Sequence, residues 1–249
     1  PAAEGHRREV LNACAGVVRA HIGELAPILT REQGKPLAKA EAELKGAAKW
    51  FEYTATLELP VEVALDNDRV RVEVRRRPHG VVAAITPWNY PVSLAVWKIA
   101  PALFAGNTMV LKPSPFTPLA TLKLGEILRA VLPPGVLNVV SGSDELGAWM
   151  TTHPAVRKIS FTGSVATGKL VAAAAAPDLK RVTLELGGND PAVVLPDVDP
   201  AAVAKKLFSG AFENCGQVCS AIKRVYVHED QYAAFLDHLS FGRYNFGVG

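Results

Sequence analysis

Residues 80–112 read Gly80-Val-Val-Ala-Ala-Ile-Thr-Pro-Trp-Asn-Tyr-Pro91, then Val92-Ser-Leu-Ala-Val-Trp-Lys-Ile-Ala-Pro-Ala-Leu-Phe-Ala105, then Gly106-Asn-Thr-Met-Val-Leu-Lys112. A short run rich in β-branched residues (Val81–Thr86) is followed by a stretch of helical length and pattern (Val92–Ala105) and by a second strand-like run (Thr108–Lys112). The alternation continues. Leu137–Ser141, Lys158–Thr162 and Arg181–Leu186 read as strands, with Pro118–Val131, Glu145–Thr151 and Val165–Ala176 as helices between them. Five strands alternating with four helices predict an α/β fold, a doubly wound five-stranded parallel sheet with helices on both faces. Such sheets bind ligands at the carboxyl ends of their strands. Here those ends carry Thr86-Pro87-Trp88-Asn89, Lys112-Pro113-Ser114, Ser141-Gly142 and Phe161-Thr162-Gly163-Ser164, which are expected to converge on one crevice.

Upstream, apolar Val10, Cys14, Val17, Val18, Ile22 and Leu25 recur at helical spacing, and residues 6–53 read as helices. From about 59 to 79 the period changes to two: Val61, Val63 and Leu65, then Val70, Val72 and Val74, alternate with polar residues around Asp66-Asn67-Asp68. That is a hairpin of half-buried strands. Its arginines (Arg69, Arg71, Arg75, Arg76, Arg77) fit a polyanion site or a solvated or subunit-facing surface; Glu73 and the acidic turn favour the second. Downstream of Leu186-Gly187-Gly188 a second αβ pattern begins, with strands at Ala192–Leu195 and Arg224–His228 and helices from about Ala201 and from Gln231.

The chain has 249 residues, 49% apolar and 20% charged, enough to bury a large core or two small ones. Its 27 Lys+Arg against 24 Asp+Glu leave +3, too little to suggest a nucleic-acid partner. The longest wholly apolar run, Leu170–Ala176, has seven residues, against roughly 20 needed to span a bilayer. Three cysteines (Cys14, Cys215, Cys219) make no disulfide framework and favour a reducing, cytoplasmic setting.

The fourth strand runs into Gly163-Ser-Val-Ala-Thr-Gly168-Lys169, a GxxxxGK match, but Leu170 stands where a P-loop needs Ser or Thr for Mg²⁺. The same physics serves a dinucleotide without metal. Ser164 caps the helix, whose free amides and dipole meet a pyrophosphate, and Lys112 binds ribose hydroxyls or phosphate. The GxGxxG fingerprint is absent, which argues against an ordinary Rossmann dehydrogenase. Cys219 sits in Asn214-Cys-Gly-Gln-Val-Cys219; read as part of an apolar helical stretch it fits an inert core residue, and its Cys-x₃-Cys spacing with distant His228 and His238 is poor for zinc. Glu185, in Leu184-Glu-Leu-Gly-Gly188, is more telling, because a carboxylate in a buried apolar strand is costly unless paired, protonated or functional.

Together, Thr86-Pro-Trp-Asn-Tyr-Pro91, Val110-Leu-Lys-Pro-Ser114, Phe161-Thr-Gly-Ser164, Leu184-Glu-Leu-Gly-Gly188 and Gly216-Gln-Val-Cys219 resemble the ordered motifs of the aldehyde dehydrogenase superfamily. Arg31-Glu-Gln-Gly-Lys-Pro36 and Pro134-Gly-Val-Leu-Asn-Val139 add to the resemblance, which covers roughly residues 5–239, with 23 residues from Asn89 to Lys112 and 34 from Glu185 to Cys219.

The resemblance implies oxidation of a small-molecule aldehyde to a carboxylic acid with NAD or NADP. It makes Cys219 the nucleophile that forms a thiohemiacetal and then a thioester. Asn89 and the Cys219 backbone amide form the oxyanion hole. Glu185 activates the hydrolytic water and Lys98 relays protons. Ile85, Thr86, Pro87, Trp88, Lys112, Ser114, Pro115, Phe161, Gly163, Ser164, Leu186 and Gly187 bind the cofactor, while Tyr90, Leu94, Trp97, Val218 and Ser220 line the aldehyde tunnel. Pro115 stands where NAD-preferring members commonly carry Glu, so NADP use is expected too. No metal is implied. By the same resemblance, residues 1–58 and 80–187 form the dinucleotide-binding domain, 59–79 a bridging hairpin of a homodimer or homotetramer, and 188–249 an incomplete catalytic domain. The family's chains are about twice as long, no acidic-Phe-Gly-Pro motif follows Leu239, and residues 240–249 match none of its motifs, so the chain reads as truncated. The alternative is a non-catalytic nucleotide-binding or assembly module of the same fold.

Overall fold

In the computed structural model, residues 3–242 are described; the tail 243–249 lies outside them. The chain divides into two compact units, Pro1–Glu185 and Leu186–Gly249, a boundary two residues before the one read from sequence.

The first unit opens with three helices, α1 (Glu4–Ala20), α2 (Ile22–Gln33) and α3 (Leu37–Ala55). In α1 the spacing Leu11, Cys14, Ala15, Val18 is the face that is buried. Gly34, with φ 91°, ends α2 in the left-handed conformation that only glycine adopts without steric cost, and Pro36 follows. The long helical stretch is therefore three helices, broken at His21 and at Gly34-Lys35-Pro36.

Next comes the hairpin of β1 (Glu62–Asp66) and β2 (Arg71–Val74), antiparallel with an irregularity between Val63 and Leu65. The Asn67 Oδ1 accepts from the amides of Arg69 and Val70 and closes the turn. The expectation of half-buried strands does not hold. Val61, Val63, Leu65, Val70, Val72 and Val74 are each 42–49% exposed, because among the described residues no helix covers either face of the ribbon.

The sheet is β3 (Val81–Ile85), β4 (Thr108–Lys112), β5 (Leu137–Val139), β6 (Val156–Thr162) and β7 (Arg181–Glu185), all parallel in the order β5-β4-β3-β6-β7. Helices α4 (Pro91–Phe104), α5 (Leu119–Leu128), α6 (Asp144–Thr152) and α7 (Val165–Ala175) make the crossovers. With right-handed connections, α4 and α5 lie on one face and α6 and α7 on the other. The chain order reverses between β3 and β6, which makes their carboxyl ends the switch point where such sheets hold ligands. Central β3 buries Val82, Ala83 and Ala84 alike, as a strand covered on both faces must. One core joins α1, α3, α4 and α5 to the sheet through Leu11, Leu44, Phe51, Ile99, Met109, Leu111, Leu124 and Leu128. Fully burying each such side chain contributes about 1.5–3 kcal/mol.

The second unit pairs β8 (Asp190–Val194) in parallel with β9 (Ile222–Val227) through helix α8 (Pro200–Phe212), and α9 (Glu229–Gly242) follows. Val194, Ala204 and Phe235 form its small core.

Candidate active site

Strand register puts three of the predicted cofactor residues, Ile85, Lys112 and Phe161, in one row at the strand ends. Ile85 pairs with Lys112 on one side and with Phe161 on the other, and Thr162 pairs with Glu185. Lys112 is only 3% exposed, and its Nζ donates to the Pro113 carbonyl at 3.4 Å. Burial lowers its pKa, partly offset by the Asp144 carboxylate. Ser114 is buried with its Oγ accepting from the Phe116 amide, while Pro115 is exposed at the turn that follows. Gly147 of α6 comes near the end of this row, where an added Cβ would lie 3.8 Å from both Ile85 Cδ1 and Lys112 Cδ.

Two features of these strand ends, the Thr86 hydroxyl and the start of the helix after Gly163, have the chemistry that a dinucleotide would need. Thr86, 2% exposed, has a buried Oγ1 with no hydrogen-bond partner among the described residues, which is costly unless something else meets it. A Cβ at Gly163 would lie 2.5 Å from the Phe161 ring, so the packing of that ring against the turn requires glycine there. Ser164 is the N-cap of α7, its Oγ accepting from the Thr167 amide at 3.1 Å. The first-turn amides of such a helix lack internal acceptors and favour an anion. Pro87 is half-buried and Trp88 is exposed beside them.

Lys98, on α4, reaches under the sheet end. Its Nζ donates to Thr162 Oγ1 at 2.7 Å and to Ser160 Oγ at 3.2 Å. Burial brings its pKa down from the ordinary 10.5 to about 8; the Glu185 charge pulls it up and Lys158 pushes it down. Thr162 is expected from sequence only as part of a strand end and Ser160 not at all, although their two-residue spacing on one strand places them on one face. Glu185 itself corrects an expectation. Strand β7 is the edge of its sheet, with Arg181, Val182, Thr183 and Glu185 exposed in this chain. The carboxylate is thus not locked in an apolar strand; its charge acts on Lys98.

Asn89 and Tyr90 form the turn into α4. The Asn89 Oδ1 accepts from the Tyr90 amide at 3.1 Å, which turns the carboxamide nitrogen the other way. Of the predicted tunnel residues, Leu94 is buried at 6% exposure, while Trp97 is 48% exposed and packs against Trp50, with ring centroids 5.5 Å apart and planes tilted by 40°.

In the second unit, Cys219 lies in the loop between a 3₁₀ turn (Glu213–Gly216) and β9, not in a helix as the apolar pattern suggested. Asn214, Cys215 and Gly216 are successively left-handed (φ 49°, 58° and 75°), a conformation that costs non-glycine residues roughly 1–2 kcal/mol each. Cys219 and Val218 are half-buried, and Ser220 and Cys215 are exposed. Leu186, half-buried, and Gly187, exposed, lead into Gly188. A Cβ on Gly188 would lie 2.3 Å from the Cys219 carbonyl oxygen, so glycine at 188 lets the backbone approach the cysteine loop, while Gly187 faces open space. Cys14, by contrast, is fully buried and its thiol is pushed up to about 12, which leaves it inert as a nucleophile. Among the described residues no group of three or more His, Cys, Asp or Glu side chains is placed to hold a metal ion, and no helix is long and apolar enough to cross a membrane.

A probable aldehyde dehydrogenase of a Pseudomonas species is 48% identical over 98% of this chain and 50% of its own length. Among solved structures, an Escherichia coli NADP-dependent enzyme superposes with a TM-score of 0.96 at 38% identity, covering 100% of this chain and 53% of that one. An NAD-dependent aldehyde dehydrogenase from Sinorhizobium meliloti gives 0.92 at 36% identity, covering 96% and 49%. The chain therefore spans about half the length of the relatives it matches. The sequence profile of the aldehyde dehydrogenase family matches residues 3–242, and the chain belongs to that family.

Proposed function

We propose that the whole protein carrying this chain oxidises an aldehyde to a carboxylic acid, consuming water and reducing NAD⁺ or NADP⁺. The observation that carries the reading is the row of strand ends in the first unit. There the buried Lys112, the unpartnered Thr86 hydroxyl and the Ser164-capped helix share one edge with Lys98, on which the Glu185 charge acts.

Ile85, Thr86, Pro87, Trp88, Lys112, Ser114, Phe161, Gly163, Ser164, Leu186 and Gly187 hold the dinucleotide, with Pro115 at the edge of its ribose site. When bound, NAD⁺ or NADP⁺ would supply the hydride acceptor. The Cys219 thiolate attacks the aldehyde carbon, and the C=O electrons move onto oxygen. The Asn89 carboxamide nitrogen and the Cys219 amide stabilise that oxyanion, each donor typically worth about 3 kcal/mol. Loss of hydride from the same carbon leaves a thioester on Cys219. Glu185 takes a proton from water, whose oxygen replaces the cysteine sulfur to give the acid, and Lys98 passes the proton onward. Tyr90, Leu94, Trp97, Val218 and Ser220 surround the aldehyde, an apolar and partly aromatic lining suited to aliphatic or aromatic substrates. Residues 1–58 with 80–187 serve as the dinucleotide domain, 59–79 as the assembly hairpin of a cytoplasmic homodimer or homotetramer, and 188–249 as the start of the catalytic domain.

Cys219→Ala in the whole protein tests the assignment: aldehyde-dependent NAD(P)H formation disappears while cofactor still binds. Undiminished turnover refutes it.

A further inference from the structure

We infer that Lys35 and Glu43 are positioning residues for the Asn89–Tyr90 turn and act on the reaction through Asn89. The inference rests on the reading of Asn89 as an oxyanion donor.

The two side chains form a buried ion pair, 3% and 0% exposed, between the end of the Arg31-Glu-Gln-Gly-Lys-Pro36 stretch and α3. Each charge spends its remaining bonds on the backbone of the turn that carries Asn89. The Lys35 Nζ donates to Glu43 and, at 3.1 Å, to the Asn89 carbonyl oxygen, and it lies 3.9 Å from the centre of the Tyr90 ring. The ammonium thus has three partners, two of them the residues of the turn. Glu43 Oε1 accepts from the amides of Val92 and Ser93 at 3.0 Å each. Helix α4 begins at Pro91 and has no cap from its own N-terminal side chain, so Glu43 holds its first free amides from a distant helix.

An ion pair placed merely to join two helices would not need to bond the Asn89 carbonyl or face the Tyr90 ring. Buried pairs of this kind often add little stability over an apolar pair of the same volume. What this one fixes is the peptide on which the Asn89 carboxamide hangs, already half-oriented by its bond to the Tyr90 amide. Oxyanion stabilisation depends on donors held within a few tenths of an ångström.

The test is a double-mutant cycle in the whole protein, comparing wild type, Asn89→Ala, Lys35→Met with Glu43→Gln, and all three substitutions together. Gln at 43 retains an oxygen for the Val92 and Ser93 amides. The readouts are kcat/KM for an aliphatic aldehyde at saturating cofactor and the Kd of NAD⁺ and NADP⁺. Asn89→Ala should lower kcat/KM about 100-fold. The Lys35–Glu43 double substitution should lower it about 10-fold or more with cofactor Kd within about twofold, and should cost less than about threefold more once Asn89 is gone. Fully additive losses, or a weakened cofactor Kd accounting for the whole effect, overturn the inference and leave the role of Asn89 standing. An unchanged kcat/KM in Asn89→Ala overturns the oxyanion reading and the inference with it. If the double substitution does not fold, Lys35→Arg keeps the charge beside Glu43 but replaces the compact ammonium by a planar fork, and the same cycle is read with it.

Discussion

Lys98 makes a prediction that is independent of any substrate. It is 9% exposed, and its pKa falls from 10.5 to about 8. Burial disfavours the ammonium, so the folded chain binds the Lys98 proton less tightly than the unfolded chain does. Each pKa unit corresponds to 1.36 kcal/mol, so protonated Lys98 destabilises the fold by about 3 kcal/mol. The penalty is complete below pH 8, shrinks as pH rises because the folded chain has already released its proton, and is gone above 10.5. Lys98→Met removes the titration. It also removes the donor to Ser160 and Thr162, a loss that hardly depends on pH because neutral amine and ammonium both donate. Urea unfolding followed by circular dichroism at pH 7 and pH 9.5 isolates the pH-dependent part, since every other titrating group is common to both proteins. Wild type should gain about 2 kcal/mol relative to Lys98→Met over that interval. Parallel pH dependence of the two proteins refutes the depressed pKa, and with it the argument that Lys98 is poised to exchange protons near pH 8.

Glu185→Gln should let the whole protein release NAD(P)H in a single burst and then stall with an acylated Cys219, seen as added mass; deacylation at the wild-type rate removes Glu185 from the chemistry. Pro115 leaves no carboxylate to bind vicinal ribose hydroxyls or repel a 2′-phosphate, and buried Lys112 and Ser114 stay at the same strand end. NADP⁺ should therefore come within about tenfold of NAD⁺ in kcat/KM, and an NAD⁺ preference above about a thousandfold contradicts this. The exposed valines of the hairpin should be covered by another copy, so that the whole protein sediments as a dimer or tetramer at micromolar concentration and Val72→Asp with Val74→Asp shifts it toward monomer. A wild-type monomer under those conditions disproves the assignment of the hairpin.

The sheet was legible because each of its strands is a local pattern. Val81–Ile85 and Thr108–Lys112 are short β-branched runs bounded by turn residues, and periodicity plus the handedness rule leave few ways to arrange five such strands. Burial was less legible, because it depends on what covers a segment. The alternation in residues 61–74 is that of a half-buried hairpin, yet its valines lie open. Arg181–Glu185 has the composition of a buried strand, yet it lies at the sheet edge. Composition records that a face is apolar; which element covers it, or whether a second copy does, is decided outside the segment.

The site was legible in the same uneven way. Ser164 caps its helix from an adjacent position, so the Gly-Ser pair at a strand end announces it. The caps of the two helices on the opposite face have no such local signal. Helix α4 starts at Pro91 after Tyr90, and α5 at Leu119 after Pro118, neither of which has a side chain able to accept from the first free amides. The acceptors come from the N-terminal helices. Glu43 takes the amides of Val92 and Ser93, and Glu32 takes those of Leu119 and Ala120 at 2.6 and 2.9 Å. Pairs separated by 49 to 88 positions leave no periodicity to read. Their trace in the sequence is the missing cap itself, because a helix start without Ser, Thr, Asp or Asn requires an acceptor from elsewhere. The Arg31-Glu-Gln-Gly-Lys-Pro36 stretch, a motif of the family resemblance, thus has a physical role. Glu32 holds the start of α5, Gly34 turns the chain, and Lys35 ties the carbonyl of Asn89 to Glu43. Residues far from any strand end set the geometry of the turn between β3 and α4, and a substitution there acts on the reaction without touching cofactor or aldehyde.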